Sequence, residues 1–167
     1  AAEGGTAGGD DGRGGVRPGD GYASVLATAV NQDGKSASFM APNGPSQEAL
    51  LRSAMAEAGL NSEHKQELGL VESHVTGTGL GDPMEVGSVD AAVLKHREAR
   101  AAPMAVGSMK ANAGHSEPGA GFSGLLKLAI GLARGDAAPN AQLRALNPHV
   151  GSTLRGVSCT LPVQLGG

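Results

Sequence analysis

Two spacings of apolar residues alternate along the chain. Short apolar runs bounded by polar or glycine-rich turns predict buried strands; they span residues 22–30, 68–73 and 104–109. Longer segments, with apolar residues every three or four positions, predict helices; they run from Pro45 to about Ala58, from Pro83 to near Arg97, and from Pro118 to about Arg134. Strand and helix alternating three times predict a layered α/β fold, helix on sheet on helix.

The helix ends carry their own signals. Gly59 is a natural stop for the first helix. Before the second, Asp82 can act as the cap and Glu85 can reach back as in a capping box. The third helix is apolar nearly all round, which predicts that it is buried. Beyond residue 140 the chain reads as irregular, apart from one short apolar run over residues 157–161.

Composition bounds the size and the packing of the domain. The chain of 167 residues contains 28 Gly and no Trp, and 2% of its residues are aromatic. It is long enough for one domain or a piece of one, with a core of closely packed small aliphatic residues. Residues 1–21 include nine Gly and almost no apolar side chain, so we expect a flexible segment there and the folded domain over residues 22–167.

Charge and cysteine content exclude several classes of function. The formal net charge is −3 and the Lys and Arg residues are scattered, so the sequence predicts no basic surface for binding nucleic acid. No apolar stretch approaches the ~18 residues of a membrane span. The N-terminus also lacks the basic segment followed by an apolar segment that is typical of a signal peptide. Cys159 is the single cysteine and the five histidines lack ligand spacing, so neither a disulfide framework nor a metal site is predicted. We expect a soluble protein of the cytoplasm, or of the plastid in an alga or plant.

Two histidines mark the candidate chemistry. His74 and His115 each lie where an apolar run gives way to a glycine-rich turn that leads to a helix. If the two strands are parallel, both imidazoles reach the same edge of one sheet, where α/β folds bind ligands. Convergent imidazoles are suited to proton transfer or to stabilising an oxyanion. A histidine at the end of a strand is also often only a hydrogen-bonded polar group.

The loop after His74 offers Thr76 and Thr78 as hydroxyl donors between glycines. A phosphate cradle on the following helix is a weaker alternative. The glycine spacing fits neither the dinucleotide fingerprint nor a P-loop, and Asp82 at the helix start would repel a phosphate.

Around His115, four polar or ionisable residues lie within eight positions: Lys110, Asn112, His115 and Glu117. Between an apolar strand and an apolar helix such groups form either a hydrogen-bonded network or a site. Glu117 is predicted to hold Lys110 in place. The alternative is an ion pair that only stabilises the turn.

Three blocks carry a family resemblance: N-Q-D-G to A-P-N-G-P over residues 31–45, the block Glu72 to Glu85, and the block Lys110 to Glu117. In this order and spacing they resemble the beta-ketoacyl synthase (ketosynthase) domain of type I polyketide synthases and fatty acid synthases, over about residues 22–148. The first block favours the polyketide branch. The resemblance implies a thiolase-like fold, of which this chain holds the C-terminal half of the duplicated architecture.

The resemblance also implies the chemistry, a decarboxylative Claisen condensation between an acyl thioester and a malonyl-type extender. It implies that the domain binds no cofactor of its own, because the phosphopantetheine arm belongs to a partner acyl carrier protein. Other synthase domains and a second copy of the full domain are the further partners implied. The implied residues are His74 and His115 at the thioester enolate, Lys110 supporting the second histidine, Asn112 and Glu117 as supporting groups, and Thr76 and Thr78 on the arm.

Departures from the family pattern limit what this chain can do alone. The nucleophile segment of D-T-A-C-S-S type is absent, and Cys159, downstream of both histidines, reads as a small residue in an edge strand. Val75 stands where the family has glycine, which predicts strain if that position requires a positive φ. We expect residues 1–167 to be part of a ketosynthase and not to condense substrates alone. The alternative is a non-condensing module that binds acyl chains or only decarboxylates.

Overall fold

The computed structural model describes residues 23–34, 42–141 and 143–164. The predicted flexible segment 1–21 lies outside these residues. In the described part, β1 (Leu70–Glu72), β2 (Met104–Gly107) and β3 (Cys159–Thr160) form one sheet in the order β1-β2-β3. Both pairings are parallel, with Val71 beside Val106 and Met104 beside Cys159. The parallel sheet that the site prediction requires is confirmed.

Five α-helices accompany the sheet in the described residues: α1 (Gly44–Glu57), α2 (Gly81–Ala92), α3 (Lys110–Ala113), α4 (Ala120–Arg134) and α5 (Pro148–Thr153). Helix α1 begins where predicted because the Asn43 side chain accepts a hydrogen bond from the Ser46 N–H at 3.2 Å. It is followed by Gly59, whose φ of +71° suits a residue without Cβ.

The helices lie on both faces of the sheet. Val71 packs against the core cluster formed by α2, β2 and α5, whereas Glu72, its neighbour, points to the opposite face and α4. Successive strand residues face opposite sides, so one short strand contacts both layers. Leu94 and Met104, at 1% and 2% exposure, are the largest fully buried side chains of the described part. The predicted layered α/β architecture is confirmed.

Two predictions about the apolar segments are wrong. Residues 23–34 form no strand, and Val25, Leu26 and Val30 are 70%, 68% and 97% exposed; no described strand lies beside them to supply ladder hydrogen bonds. Helix α4 has the predicted extent, yet Phe122 and Leu132 are 66% and 67% exposed. Only one side of α4 packs on the sheet, and nothing in the described residues covers the other.

Two elements end earlier than predicted, and one helix was not predicted. Helix α2 ends at Ala92, because Val93 leaves helical backbone with φ −127° and ψ −64°. Strand β2 ends at Gly107, where the chain turns into α3. Helix α5 was not predicted, although Asn147 before Pro148 is a recognisable start. The Asn147 side chain accepts a hydrogen bond from the His149 N–H at 2.9 Å. Pro148 has no N–H, so it leaves no unpaired donor at the first helical position.

Candidate active site

The two histidines meet at the carboxyl edge of the sheet. The ring centroids of His74 and His115 lie 5.3 Å apart, and the ring planes are nearly perpendicular at 89°. His74 follows β1 and His115 follows β2 by way of α3, so parallel pairing of these strands brings both rings to one place. Both residues are exposed. At this separation two imidazoles can direct ring N–H groups at one oxygen atom.

Two carboxylates from α2 fix the backbone that carries His74. The Glu85 carboxylate accepts from the N–H groups of His74 at 2.5 Å and Val75 at 2.8 Å. The Asp82 carboxylate accepts from Gly77 at 3.1 Å and Thr78 at 3.1 Å. The capping predictions for Asp82 and Glu85 are therefore wrong. Asp82 lies inside the first turn of α2, and the two carboxylates bind the N–H groups of the loop instead of those of the helix.

Val75 is accommodated without strain. Glu117, at φ 44°, is the one described residue other than glycine with a positive φ, so the position of Val75 does not require glycine. The Val75 side chain is half-buried and packs on the core cluster. The strain that the sequence predicted is absent.

Thr76 lies between two cavities. One, of about 800 Å³, is lined by His74, Thr76 and Thr78 among others. The second, of about 850 Å³, is lined by Thr76, Lys110 and His115 among others. The Thr78 hydroxyl accepts from the Gly81 N–H at 3.2 Å and so shapes the turn into α2. Both predicted threonines therefore line a cavity with His74, and Thr76 also lines the cavity of His115.

The residues around His115 separate into two groups. Lys110, at the first position of α3, lines the same cavity as His115. Asn112 faces elsewhere, where its Oδ1 accepts from the Ala141 N–H at 2.9 Å. Glu117 is exposed in the turn before α4, and no ion pair within 4 Å joins it to Lys110 in the described residues. The predicted partnership of Glu117 with Lys110 is not formed, because the turn at positive φ presents Glu117 to solvent.

Three buried side chains to which the sequence analysis gave no role hold the turn after β2: Glu72, Lys127 and Asn140. The Lys127 ammonium and the Glu72 carboxylate form an ion pair at 2.7 Å, with 8% of each side chain exposed. Asn140, 6% exposed, accepts from the Ser108 N–H at 3.0 Å and donates to the Val106 carbonyl at 3.1 Å. Lys127 was detectable, since it is the one charged residue within the apolar run 120–133.

Cys159 lies away from this edge. It pairs with Met104, the first residue of β2, whereas the histidines follow the last residues of the strands. Burial, together with the charge of Asp90, raises the pKa of the Cys159 thiol, although Arg97 opposes the rise. A nucleophilic cysteine requires the opposite shift. The prediction of an edge-strand position for Cys159 is confirmed.

No three His, Cys, Asp or Glu side chains gather as a metal site in the part of the chain that the structure describes. Among the same residues, no helix is long and apolar enough to cross a membrane.

The fold and the site together define an α/β domain of thiolase-like architecture with a pair of histidines at the carboxyl edge of its sheet. Residues 22–144 match the family described as the beta-ketoacyl synthase, C-terminal domain. The chain belongs to this family. The resemblance drawn from the three sequence blocks is confirmed.

Several relatives of the chain are polyketide synthases. It is 41% identical over 128 residues to the spectinabilin polyketide synthase system protein NorA' of Streptomyces orinoci, covering 77% of this chain and 3% of that protein. It is 38% identical over 136 residues to the highly reducing polyketide synthase srdA of Neurospora crassa, covering 81% and 6%. The chain therefore spans a small part of the length of these relatives.

Two solved ketosynthase structures share the fold. The oxazolomycin ketosynthase domain of Streptomyces albus superposes with a TM-score of 0.77 at 33% identity, covering 87% of this chain and 24% of that one. The ketosynthase from module 6 of the bacillaene synthase of Bacillus subtilis 168 gives 0.77 at 27% identity, covering 87% and 25%. The chain corresponds to about a quarter of each ketosynthase chain.

Proposed function

We propose that this chain supplies the two-histidine part of a beta-ketoacyl synthase site that extends acyl chains by decarboxylative Claisen condensation in polyketide or fatty acid biosynthesis. The observation that carries the proposal is the 5.3 Å separation of the His74 and His115 rings at the carboxyl edge of a parallel sheet. The proposed substrates are an acyl thioester and a malonyl-type extender.

The chemistry follows from where charge develops. In the extender, the bond between the α-carbon and the carboxylate breaks, CO₂ leaves, and the electron pair moves toward the thioester, whose oxygen becomes negative. N–H donors from His74 and His115 stabilise that oxygen. The α-carbon then attacks an acyl thioester held on a cysteine of the remaining domain, and the cysteine thiolate departs. Lys110, beside His115 in the same cavity, supports the second histidine.

The extender reaches the histidines on a phosphopantetheine arm carried by an acyl carrier protein. Thr76 and Thr78 fit such an arm, since both line a cavity that also contains His74. The domain needs no resident cofactor for this reaction. Other synthase domains, and a second copy of the complete ketosynthase domain, are the further proposed partners, and the proposed location is the cytoplasm or a plastid.

The nucleophile of the condensation lies outside this chain. Cys159 sits at the wrong edge of the sheet, with a raised pKa. Residues 1–167 alone should therefore form no condensation product from an acyl carrier and a malonyl donor. Formation of that product by the isolated chain would refute this part of the proposal.

The decisive experiment removes each imidazole from the complete polypeptide that contains this chain. His74→Ala and His115→Ala should each lower the release of labelled CO₂ from malonyl-acyl carrier protein by about 100-fold or more, the range seen when one oxyanion donor is removed. His96→Ala is the matched control, because His96 is also exposed and its ring nitrogen contacts the Ala91 carbonyl, far along α2 from the site. Unchanged CO₂ release in both variants would refute the role of the two histidines in decarboxylation.

A further inference from the structure

We infer that the buried Glu72–Lys127 ion pair positions the two histidines relative to one another, and that Glu72 and Lys127 are positioning residues of the reaction under "Proposed function", on which this inference rests. Neither residue lies in the motif that supplies Lys110 and His115. Both act through the backbone segments that carry the two histidines and Lys110.

The Glu72 carboxylate connects three elements. One oxygen accepts from the Lys127 ammonium of α4 at 2.7 Å, and the other accepts from the backbone N–H of Met109 in the turn after β2. Glu72 itself is the last residue of β1. A single carboxylate thus joins the end of β1, the middle of α4 and the start of α3.

Two glycines make the space for this pair. A Cβ at Gly107 would lie 2.9 Å from the Lys127 ammonium, and a Cβ at Gly124 would lie 3.0 Å from Cγ of Glu72. Real Cβ atoms essentially never make the first of these contacts and rarely make the second, so a side chain at either position would shift a member of the pair. The pair therefore occupies a slot of defined shape, unlike an exposed ion pair that can adopt many geometries.

The buried ion pair contributes to the geometry of the site more than to the stability of the fold. A buried ion pair adds little net stability, because removing both charges from water offsets their attraction. It does fix geometry, since each charge has only one place where it is satisfied. His74 follows Glu72 by two residues, and Lys110 follows Met109 directly. Movement of this carboxylate shifts both strand ends, and a displacement of ~1 Å can lower a rate by ~100-fold.

The variants test the pair in the complete polypeptide that contains this chain, with CO₂ release from malonyl-acyl carrier protein as the assay. Glu72→Gln and Lys127→Met should each lower kcat by about 10- to 100-fold with little change in KM, because alignment changes and the arm contacts do not. The double variant, which leaves no unpaired buried charge and keeps an acceptor for Met109, should recover at least about half of the lost activity on a logarithmic scale.

Two controls separate positioning from a general loss of structure. Glu48→Gln with Arg52→Met removes the partly exposed ion pair of α1, at 2.8 Å, and should leave kcat unchanged. In a His115→Ala background, Glu72→Gln should have almost no further effect, because there is no longer a second imidazole to align. A merely structural role would lower the activity equally in both backgrounds. Gly124→Ala, which displaces Glu72 without unpairing a charge, replaces Glu72→Gln if that variant does not fold.

The outcomes distinguish this inference from the proposed function. Activity within about 3-fold of wild type in both single variants, with CO₂ release lowered by about 100-fold or more in His115→Ala, overturns the inference alone. Equal losses in the wild-type and His115→Ala backgrounds also overturn it. Unchanged CO₂ release in His115→Ala overturns the proposed function, and the inference with it.

Discussion

The outer face of α4 should make the isolated chain associate with itself. Five large side chains on this face are about half to two thirds exposed, and α4 projects them to one side; they are Phe122, Leu125, Leu126, Ile130 and Leu132. Complete burial of such a side chain is worth about 1.5–3 kcal/mol. Burying the exposed part of all five is therefore worth about 5–8 kcal/mol, which is comparable with the entropic cost of association.

Substitution of two of these residues should weaken the association measurably. Leu125→Gln with Leu132→Gln removes about two fifths of the apolar driving force, or about 2–3 kcal/mol, which corresponds to about 30- to 150-fold weaker association. Sedimentation equilibrium of residues 1–167 over about 1–100 µM gives the constants directly. Val163→Gln is the matched control, because Val163 is 64% exposed and lies outside α4. Circular dichroism shows whether the helices persist in each variant.

Two results would refute the reasoning about α4. The wild-type chain could remain monomeric at the highest concentration, or the double variant could associate as tightly as wild type. In the complete ketosynthase domain we expect the same two substitutions to lower stability, because the rest of that domain would cover this face.

Three further predictions concern the core, an acidic group and the cysteine. Leu94→Ala, at a side chain only 1% exposed, should lower the free energy of unfolding by about 2–5 kcal/mol in urea titrations, and an unchanged midpoint would contradict the assigned core. Burial raises the pKa of Asp90 above its ordinary 3.8, against the opposing charges of Lys95 and His96, so the folded chain holds this proton more tightly than the unfolded chain. The contribution of Asp90 to stability is therefore fully present below pH 3.8 and is lost as the pH rises through the raised pKa of the folded chain. Asp90→Asn should make the melting temperature vary less with pH over this range. Cys159→Ser should leave condensation by the complete polypeptide unchanged, and the thiol should react slowly with iodoacetamide at neutral pH because its pKa is raised.

The meeting of His74 and His115 was predictable because it depends on a topological rule. Parallel strands end at one edge, so residues that follow their carboxyl ends converge whatever the details of packing. The rule needed only the strand assignments and the parallel pairing, and both are present in the structure.

The roles of Asp82, Glu85 and Glu72 were not predictable from local sequence. A carboxylate near a helix start can cap that helix, and local spacing favours this interpretation for Asp82 and Glu85. In the folded chain, the loop that returns from β1 brings other unpaired N–H groups within reach, and those of His74, Val75, Gly77 and Thr78 are bound instead. Tertiary contacts thus decide which donors a carboxylate satisfies.

Burial was mispredicted where the partner of an apolar surface is not specified by the surface itself. The run 22–30 and the helix α4 are both apolar enough to be buried. Their apolar character does not specify which other part of the protein would cover them. In the described residues, β1 is covered by α4 on one face and by the core cluster on the other, and residues 23–34 pair with neither edge strand of the sheet.

The candidate site combines exposed reacting groups with backbone held by buried or half-buried carboxylates. The imidazoles of His74 and His115 reach solvent, as the proposed contact with a substrate requires. The N–H groups around them are bound by Glu85 at His74 and by Glu72 at Met109, so the strand ends that carry the rings have little freedom. We therefore expect the alignment of the rings to depend on the carboxylates of Glu85 and Glu72, which bind backbone N–H groups. A substitution at either carboxylate should change the alignment of the imidazoles before it changes the affinity for the arm, which is why the separation of kcat from KM is the informative measurement on this domain.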